Sequence, residues 1–187
     1  MVTESYKLKI EPMTEETFGP YGVLMDAKER PKDHRTFFPI DFQVDGKTTL
    51  NVIWQPQQGI RFSRLERHFG VTQGFVQLSG APAVVCVAAP TDVNDPQAIP
   101  EPDQIRAFLI NPDKGYAFHR GTWHSLDRYL LAPPGGSFLI LNTAPNPTQI
   151  VDYQASTSVT YPDLDTQANP VAVALKQPYG ITFELTL

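Results

Sequence analysis

The sequence predicts an all-β protein, a sandwich or small barrel with few short helices, and three observations carry that reading. No segment holds a 3.6-residue apolar period long enough for a convincing long helix. Short runs rich in Val, Ile, Leu, Phe and Thr recur along the whole chain. The 18 prolines and 12 glycines are scattered among those runs, as turns between short strands require.

Tyr6 to Ile10 alternates polar and apolar residues and reads as a strand. Thr14 to Phe18 reads as one helical turn, with Thr14 as its cap and acids in its first turn; Gly19-Pro20-Tyr21-Gly22 ends it. Phe37 to Val44 and Thr48 to Gln55 flank Asp45-Gly46, a hairpin signal. Gly59 to Glu66 is an approach segment, Gly74 to Leu78 a strand, and Ser79-Gly80-Ala81-Pro82 a turn. Ala83 to Ala89 is apolar throughout, so both of its faces are expected to be covered. Pro90 to Asp103, rich in proline and acid, reads as a long connection rather than a lid. Ile105 to Ile110 is a strand, Asn111-Pro112-Asp113-Lys114-Gly115 a turn, and Pro133-Pro134-Gly135-Gly136 turns into the strand Phe138 to Leu141. Patterning weakens from Asn146 until Tyr179 to Leu187 alternates as a last strand.

A chain of 187 residues suits one domain, 1–187, with strand 6–10 and segment 146–187 as arms. The 41% hydrophobic and 19% charged contents are those of a globular protein. At a net charge of −5 and with no basic stripe, nucleic acid is not an expected partner. The N-terminus lacks a signal-peptide apolar core and no apolar run approaches a membrane span, so the expected location is the cytoplasm. The single cysteine, Cys86, excludes a disulfide framework within the chain and reads as a small buried hydrophobe. Phe108, Phe118 and Phe138 read as core, and His34, between Asp33 and Arg35, as solvated. The first and last strands would leave edges to protect, and pairing of Tyr6–Ile10 with Tyr179–Leu187 across subunits predicts a homodimer.

Three of the four histidines fall in two short stretches. One is Glu66-Arg67-His68 with Gln73 and Gly80 beyond it; the other is His119-Arg120-Gly121-Thr122-Trp123-His124. Glu66 and His68 are two residues apart, so on a strand their side chains share one face. Titratable groups gathered on one face of a β-protein suggest a site.

The two stretches resemble the two motifs of the cupin superfamily, a jelly-roll β-barrel. Its first motif runs His-x-His, a short spacer, Glu, six residues, Gly. Here Glu66-x-His68, Gln73 and Gly80 keep the spacing, with Glu for the first His and Gln for the Glu. The second runs Pro-x-Gly-x-x-His-x-x-x-Asn and reads here His119-x-Gly121-x-x-His124-x-x-x-Arg128. More narrowly, Leu65 to His68, Gln73 to Phe75, Arg106 to Phe108, Phe118 to His124 and the N-terminal patch Phe18 to Gly22 resemble signature segments of the ureidoglycolate lyase family. That family consists of cupin-fold enzymes that split ureidoglycolate into glyoxylate and urea, are typically dimeric and are associated with a divalent metal. Where members continue with Asp-Arg after the Phe-Leu strand, this chain has Asn142-Thr143. Where a second His often follows Trp-His, it has Ser125, and its tail beyond Asn146 is longer.

The resemblance implies Glu66, His68, Gln73 and His124 around one point inside the barrel, where Glu66, His68 and His124 would be ordinary ligands for a first-row divalent metal (nickel, iron, manganese or zinc) and Gln73 a weaker one. If a metal binds there, His119 is the candidate proton donor; if none binds, Glu66 is the base and His124 the acid. The substrate carboxylate needs a cation. Arg106, Arg61 and Arg120 are the candidates, with Gln73 and Trp123 as further substrate contacts. The expected function is a carbon–nitrogen lyase acting on a small carboxylate in allantoin and purine breakdown. The alternatives are another metal-dependent cupin enzyme, an oxygenase or isomerase, and a non-catalytic small-molecule-binding cupin.

Overall fold

A computed structural model describes residues 4–187. The chain begins with β1 (Glu4–Pro12), a single helical turn α1 (Glu15–Phe18) and β2 (Gly22–Met25). The Thr14 hydroxyl accepts from the Thr17 amide while the Thr17 side chain caps in return, so the turn is held at its start by a capping box. Then come β3 (Lys47–Pro56), β4 (Arg61–Phe62), β5 (Arg64–His68), β6 (Gly74–Gly80) and β7 (Ala83–Ala88). β8 (Arg106–Leu109), β9 (Gly115–Phe118), β10 (Trp123–Ser125) and β11 (Tyr129–Leu130) follow. The last five are β12 (Gly135–Ala144), β13 (Thr148–Asp152), β14 (Thr157–Tyr161), β15 (Val171–Ala174) and β16 (Ile181–Thr186).

These strands form two sheets. The larger has the order β15-β14-β13-β5-β10-β7-β8-β1-β16-β4, with β11 also on β7; the smaller has the order β2-β9-β6-β12-β3. The all-β class expected from the sequence is the one observed. The larger sheet curls, and the two sheets face one another across an apolar interior that includes Phe18, Phe75, Val85, Val87, Phe108, Phe118 and Phe138.

β7 shows why its sequence is apolar at every position. Val85 and Val87 point into that interior, whereas Val84, Cys86 and Ala88 belong to a second cluster with Leu65, Trp123, Tyr153 and Phe183 on the other side of the large sheet. Cys86 is fully buried there, and burial holds its thiol well above the ordinary range. β6 and β7 lie in different sheets, so the turn between them is a crossing point. Gly80 there has φ +104°, and a Cβ on it would lie 2.3 Å from the Gly135 carbonyl oxygen.

The structure departs from expectation in three places. The Asp45-Gly46 hairpin does not form. Val44 makes only an isolated bridge to Val71, and β3 pairs along its whole length with β12. Asp45-Gly46 instead turns against the end of β12, where a Cβ on Gly46 would lie 2.5 Å from the Ala144 oxygen. Second, the weakly patterned tail contributes β13, β14 and β15 as well as β16, and β13 lies directly against β5. Segment 146–187, read as an arm, is therefore woven into the large sheet. Third, β1 and β16 pair in parallel with each other in the same chain, with β8 and β4 on their far sides. The two strands thus pair with each other within one chain, where the sequence reading placed that pairing across subunits.

Pro90–Asp103 is hydrogen-bonded by side chains on and beside β5 and β13. Arg67 donates to the Thr91 carbonyl at 2.9 Å and to the Asp92 carbonyl at 3.1 Å. Gln149 donates to the Pro96 carbonyl at 2.8 Å and Tyr153 to the Pro100 carbonyl at 2.7 Å.

Candidate active site

Strand register assembles the site. β10 runs antiparallel to β5 with His124 directly opposite Glu66, and His68 follows two residues on, on the same face of β5. β13 runs antiparallel along the other edge of β5, placing Thr148 opposite His68. Three strands from distant parts of the chain thus bring Glu66, His68, His124 and Thr148 to one patch. The odd-numbered neighbour Trp123, opposite Ala88, necessarily points the other way.

The Glu66 carboxylate oxygen Oε1 lies 3.7 Å from His68 Nε2 and 3.7 Å from His124 Nδ1. These separations are too long for hydrogen bonds. One donor atom from each of the three residues lies within 4.8 Å of the others, and all three side chains are buried or nearly so. The hydrogen bonds fix the rings. Thr148 Oγ1 donates to the Asn146 carbonyl at 3.0 Å, so its oxygen accepts from His68 Nδ1 at 2.7 Å, leaving the His68 Nε2 lone pair free. His124 Nδ1 donates to the Ser125 carbonyl at 3.1 Å, which leaves its Nε2 lone pair free too. Both Nε2 atoms are buried and, among the described residues, have no protein partner, as is true of Gln73 Oε1. Two outward imidazole lone pairs beside a carboxylate, with one ring held by a hydroxyl behind it, are what a divalent metal requires of a protein. The residues therefore fit such a group.

The surroundings of His124 keep it uncharged. Its pKa lies well below the ordinary imidazole range, first because burial penalises the imidazolium and then because His68 and Arg128 add positive charge nearby. Phe118 stacks on its ring at 4.5 Å, almost parallel. Arg128 itself is buried. Its guanidinium lies 3.9 Å above the Phe75 ring, its Nε donates to the Tyr116 hydroxyl at 2.8 Å, and its Nη1 donates to the Ser125 carbonyl at 2.9 Å. Among the described residues no carboxylate pairs with it.

The other expected site residues lie elsewhere. Arg106 makes a two-pronged pair with Glu11, including Nε to Oε1 at 2.7 Å. Arg61 pairs with Glu184 at 2.8 Å and Arg120 with Asp45 at 2.9 Å. All three candidate carboxylate holders already have acids of their own. Trp123 is fully buried in the second cluster and donates its indole N–H to Thr91 Oγ1 at 3.0 Å. Arg67 is stacked on Trp123, and its burial lowers its pKa to about 10. His119 is exposed, its ring 3.2 Å from the Gly19 carbonyl, outside the Glu66–His68–His124 group. Sequence reasoning missed Arg128 and Thr148 as site residues. Arg128 carried a signal, standing where the second cupin motif has Asn; Thr148, in a segment with no clear pattern, carried none.

The backbone explains why the resembling segments travel together. Gly121 N–H donates to the His68 carbonyl at 2.9 Å, and the Thr122 hydroxyl and His119 N–H donate to the Tyr21 carbonyl. The two motifs and the Phe18–Gly22 patch are thus hydrogen-bonded into one unit.

A curled pair of β-sheets with two imidazoles and a carboxylate presented from its strands defines the class of cupin-like enzymes. The comparisons narrow this: the family model described as ureidoglycolate lyase matches residues 5–160, and the chain belongs to that family. It is 31% identical over 129 residues to the ureidoglycolate lyase of Pseudomonas paraeruginosa, covering 63% of this chain and 73% of the relative. It is 31% identical over 140 residues to that of Rhodobacter capsulatus (69% and 80%), and 28% identical over 132 residues to that of Azotobacter vinelandii (63% and 74%).

Proposed function

We propose that this protein cleaves the C–N bond of ureidoglycolate to give glyoxylate and urea. The observation that carries this reading is the buried Glu66–His68–His124 group at the strands that match the family. Glu66 takes the proton of the substrate hydroxyl. The oxygen electrons then form the aldehyde C=O as the C–N bond breaks toward nitrogen, and the leaving nitrogen needs a proton. Because His124 is held neutral, Glu66 is the group that returns it, so one carboxylate serves as base and then as acid. Arg128, a buried cation that no carboxylate pairs with among the described residues, holds the substrate carboxylate. Gln73 directs its unpartnered Oε1 at the substrate or at a fourth ligand position.

Glu66, His68 and His124 would hold a divalent metal. When bound it would supply Lewis acidity, fixing the substrate hydroxyl and lowering its pKa. The reaction places the enzyme in nitrogen recovery from allantoin and other purine products, acting in the cytoplasm. Incubation of pure protein with ureidoglycolate, with and without nickel, iron, manganese or zinc, tests the reading. Matched release of glyoxylate and urea is expected; no product above the uncatalysed background at high enzyme concentration rejects it.

A further inference from the structure

One row of side chains crosses the small sheet opposite the Glu66–His68–His124 group. β9 supplies Phe118, which stacks on the His124 ring and so fixes where the row stands. Phe118 N–H donates to the Gln73 carbonyl at 2.9 Å, continuing the pairing of Ala117 with Gly74. Gln73 is therefore the next member. On the other side of β6, Leu141 of β12 stands opposite Gly74, so one step further along Asn142 adjoins Gln73. Thr49 of β3 is directly opposite Asn142 and ends the row. Phe75 and Ile140, two residues away along the same strands, pack in the interior, and alternation turns Gln73 and Asn142 the same way. Beyond this row, Gln55 of β3 accepts from the Arg128 amide at 2.8 Å and donates to Asp127 at 3.3 Å, so β3 closes over the strands that carry the site.

Two neighbouring amides thus stand in an otherwise aromatic and aliphatic interior. Gln73 Oε1 and Asn142 Oδ1 are both buried, and among the described residues neither has a protein partner. Buried acceptors left unpaired are costly, and a ligand that brings N–H groups to them recovers that cost. A side-chain amide presents an oxygen acceptor beside two N–H donors. A ureido group presents the same set, a carbonyl beside N–H groups, so the two are complementary edge to edge. A carboxylate offers acceptors only and does not match them. We infer that Asn142, beside Gln73, is a specificity-determining residue that binds the ureido end of the substrate while Arg128 holds the carboxylate end; the choice of ureidoglycolate as that substrate rests on the function proposed above. An acid of the same shape without N–H groups leaves both amide oxygens unpaired and is rejected on that ground.

Titration calorimetry with two unreactive probes tests this. N-carbamoylglycine keeps the carboxylate and the ureido group but lacks the hydroxyl whose proton Glu66 takes. 4-Oxopentanoate has the same shape, carbonyl and carboxylate, with CH2 and CH3 in place of NH and NH2. The wild-type protein is expected to bind N-carbamoylglycine about tenfold or more tightly than 4-oxopentanoate. In Asn142→Leu, which keeps the bulk and removes the amide, the affinity for N-carbamoylglycine is expected to fall about tenfold while that for 4-oxopentanoate changes little. Turnover adds a second readout: KM for ureidoglycolate is expected to rise about tenfold with a smaller change in kcat. If Asn142→Leu fails to fold, judged by far-ultraviolet circular dichroism, Asn142→Ser is read in the same way. A wild type with no preference for N-carbamoylglycine overturns the inference, and so does a folded variant that retains the preference. A wild type that shows the preference, loses it in the variant and yet releases no glyoxylate supports this recognition and rejects the lyase reading alone.

Discussion

Glu66 stands 3.7 Å from a ring nitrogen of each histidine and carries the proton in the proposed reaction. Glu66→Gln keeps the shape and removes the base, so a loss of about 10²- to 10⁴-fold in kcat is expected, read from initial rates of glyoxylate release. Thr148 tests the support behind the site. Thr148→Val removes the acceptor that fixes His68 Nδ1–H, and a loss of about 10- to 100-fold in metal affinity or activity is expected, measured by metal titration and turnover. Arg128 is the residue to separate binding from chemistry. Arg128→Met keeps the bulk between the aromatic rings and removes the charge, so KM is expected to rise tenfold or more with a smaller change in kcat. Removing a buried, acid-free cation also relieves its desolvation, so thermal stability should change little. A KM left unchanged would assign the substrate carboxylate to another group.

At the scale of elements, the crossing between β6 and β7 is the most constrained turn. Gly80 combines a positive φ with the Gly135–Gly136 backbone pressed against the place of its missing Cβ. Gly80→Ala is expected to cost about 2 kcal/mol or more, read as a lower urea midpoint with an unchanged slope. The element-level reading of the sequence succeeded where the two periodicities differ most. β1, the Thr14 cap, β7 and the strand containing Phe138 were all legible, because each buries its pattern within a few residues of itself. The hairpin at Asp45-Gly46 was not, because a long strand from position 135 onward offers β3 ten paired residues while the segment 37–44 offers almost none. Local turn chemistry lost to a longer ladder. β13 to β15 escaped notice for a related reason: Thr148 and Gln149 are buried polar residues, satisfied by partners that only the fold supplies.

For the whole molecule, the C-terminal segment is the sharpest test. Truncation after Pro145 would strip β13 from β5 and β16 from β1, exposing Leu8 and Leu65 together with the back of the site. The truncated chain is expected to lose its near-ultraviolet circular dichroism and to aggregate. Stability should also fall with acid. His124 has its folded pKa depressed from 6.5, so below that value the unfolded chain binds a proton that the folded one refuses. The metal-free protein is therefore expected to be most stable above about pH 6.5 and to lose stability as pH drops. His124→Asn should flatten that slope in thermal melts from neutral to mildly acidic pH.

By itself, the sequence determined the β class, the two motifs and the shared face of Glu66 and His68, since these follow from a two-residue period and from residue types within one strand. Tertiary structure alone decided that the buried Arg128 has no carboxylate partner among the described residues, which ring nitrogens there lack partners, and that an unpatterned tail closes the sheet beside the site. Those outcomes depend on pairings between strands some eighty residues apart, such as His68 with Thr148, and no local preference encodes them.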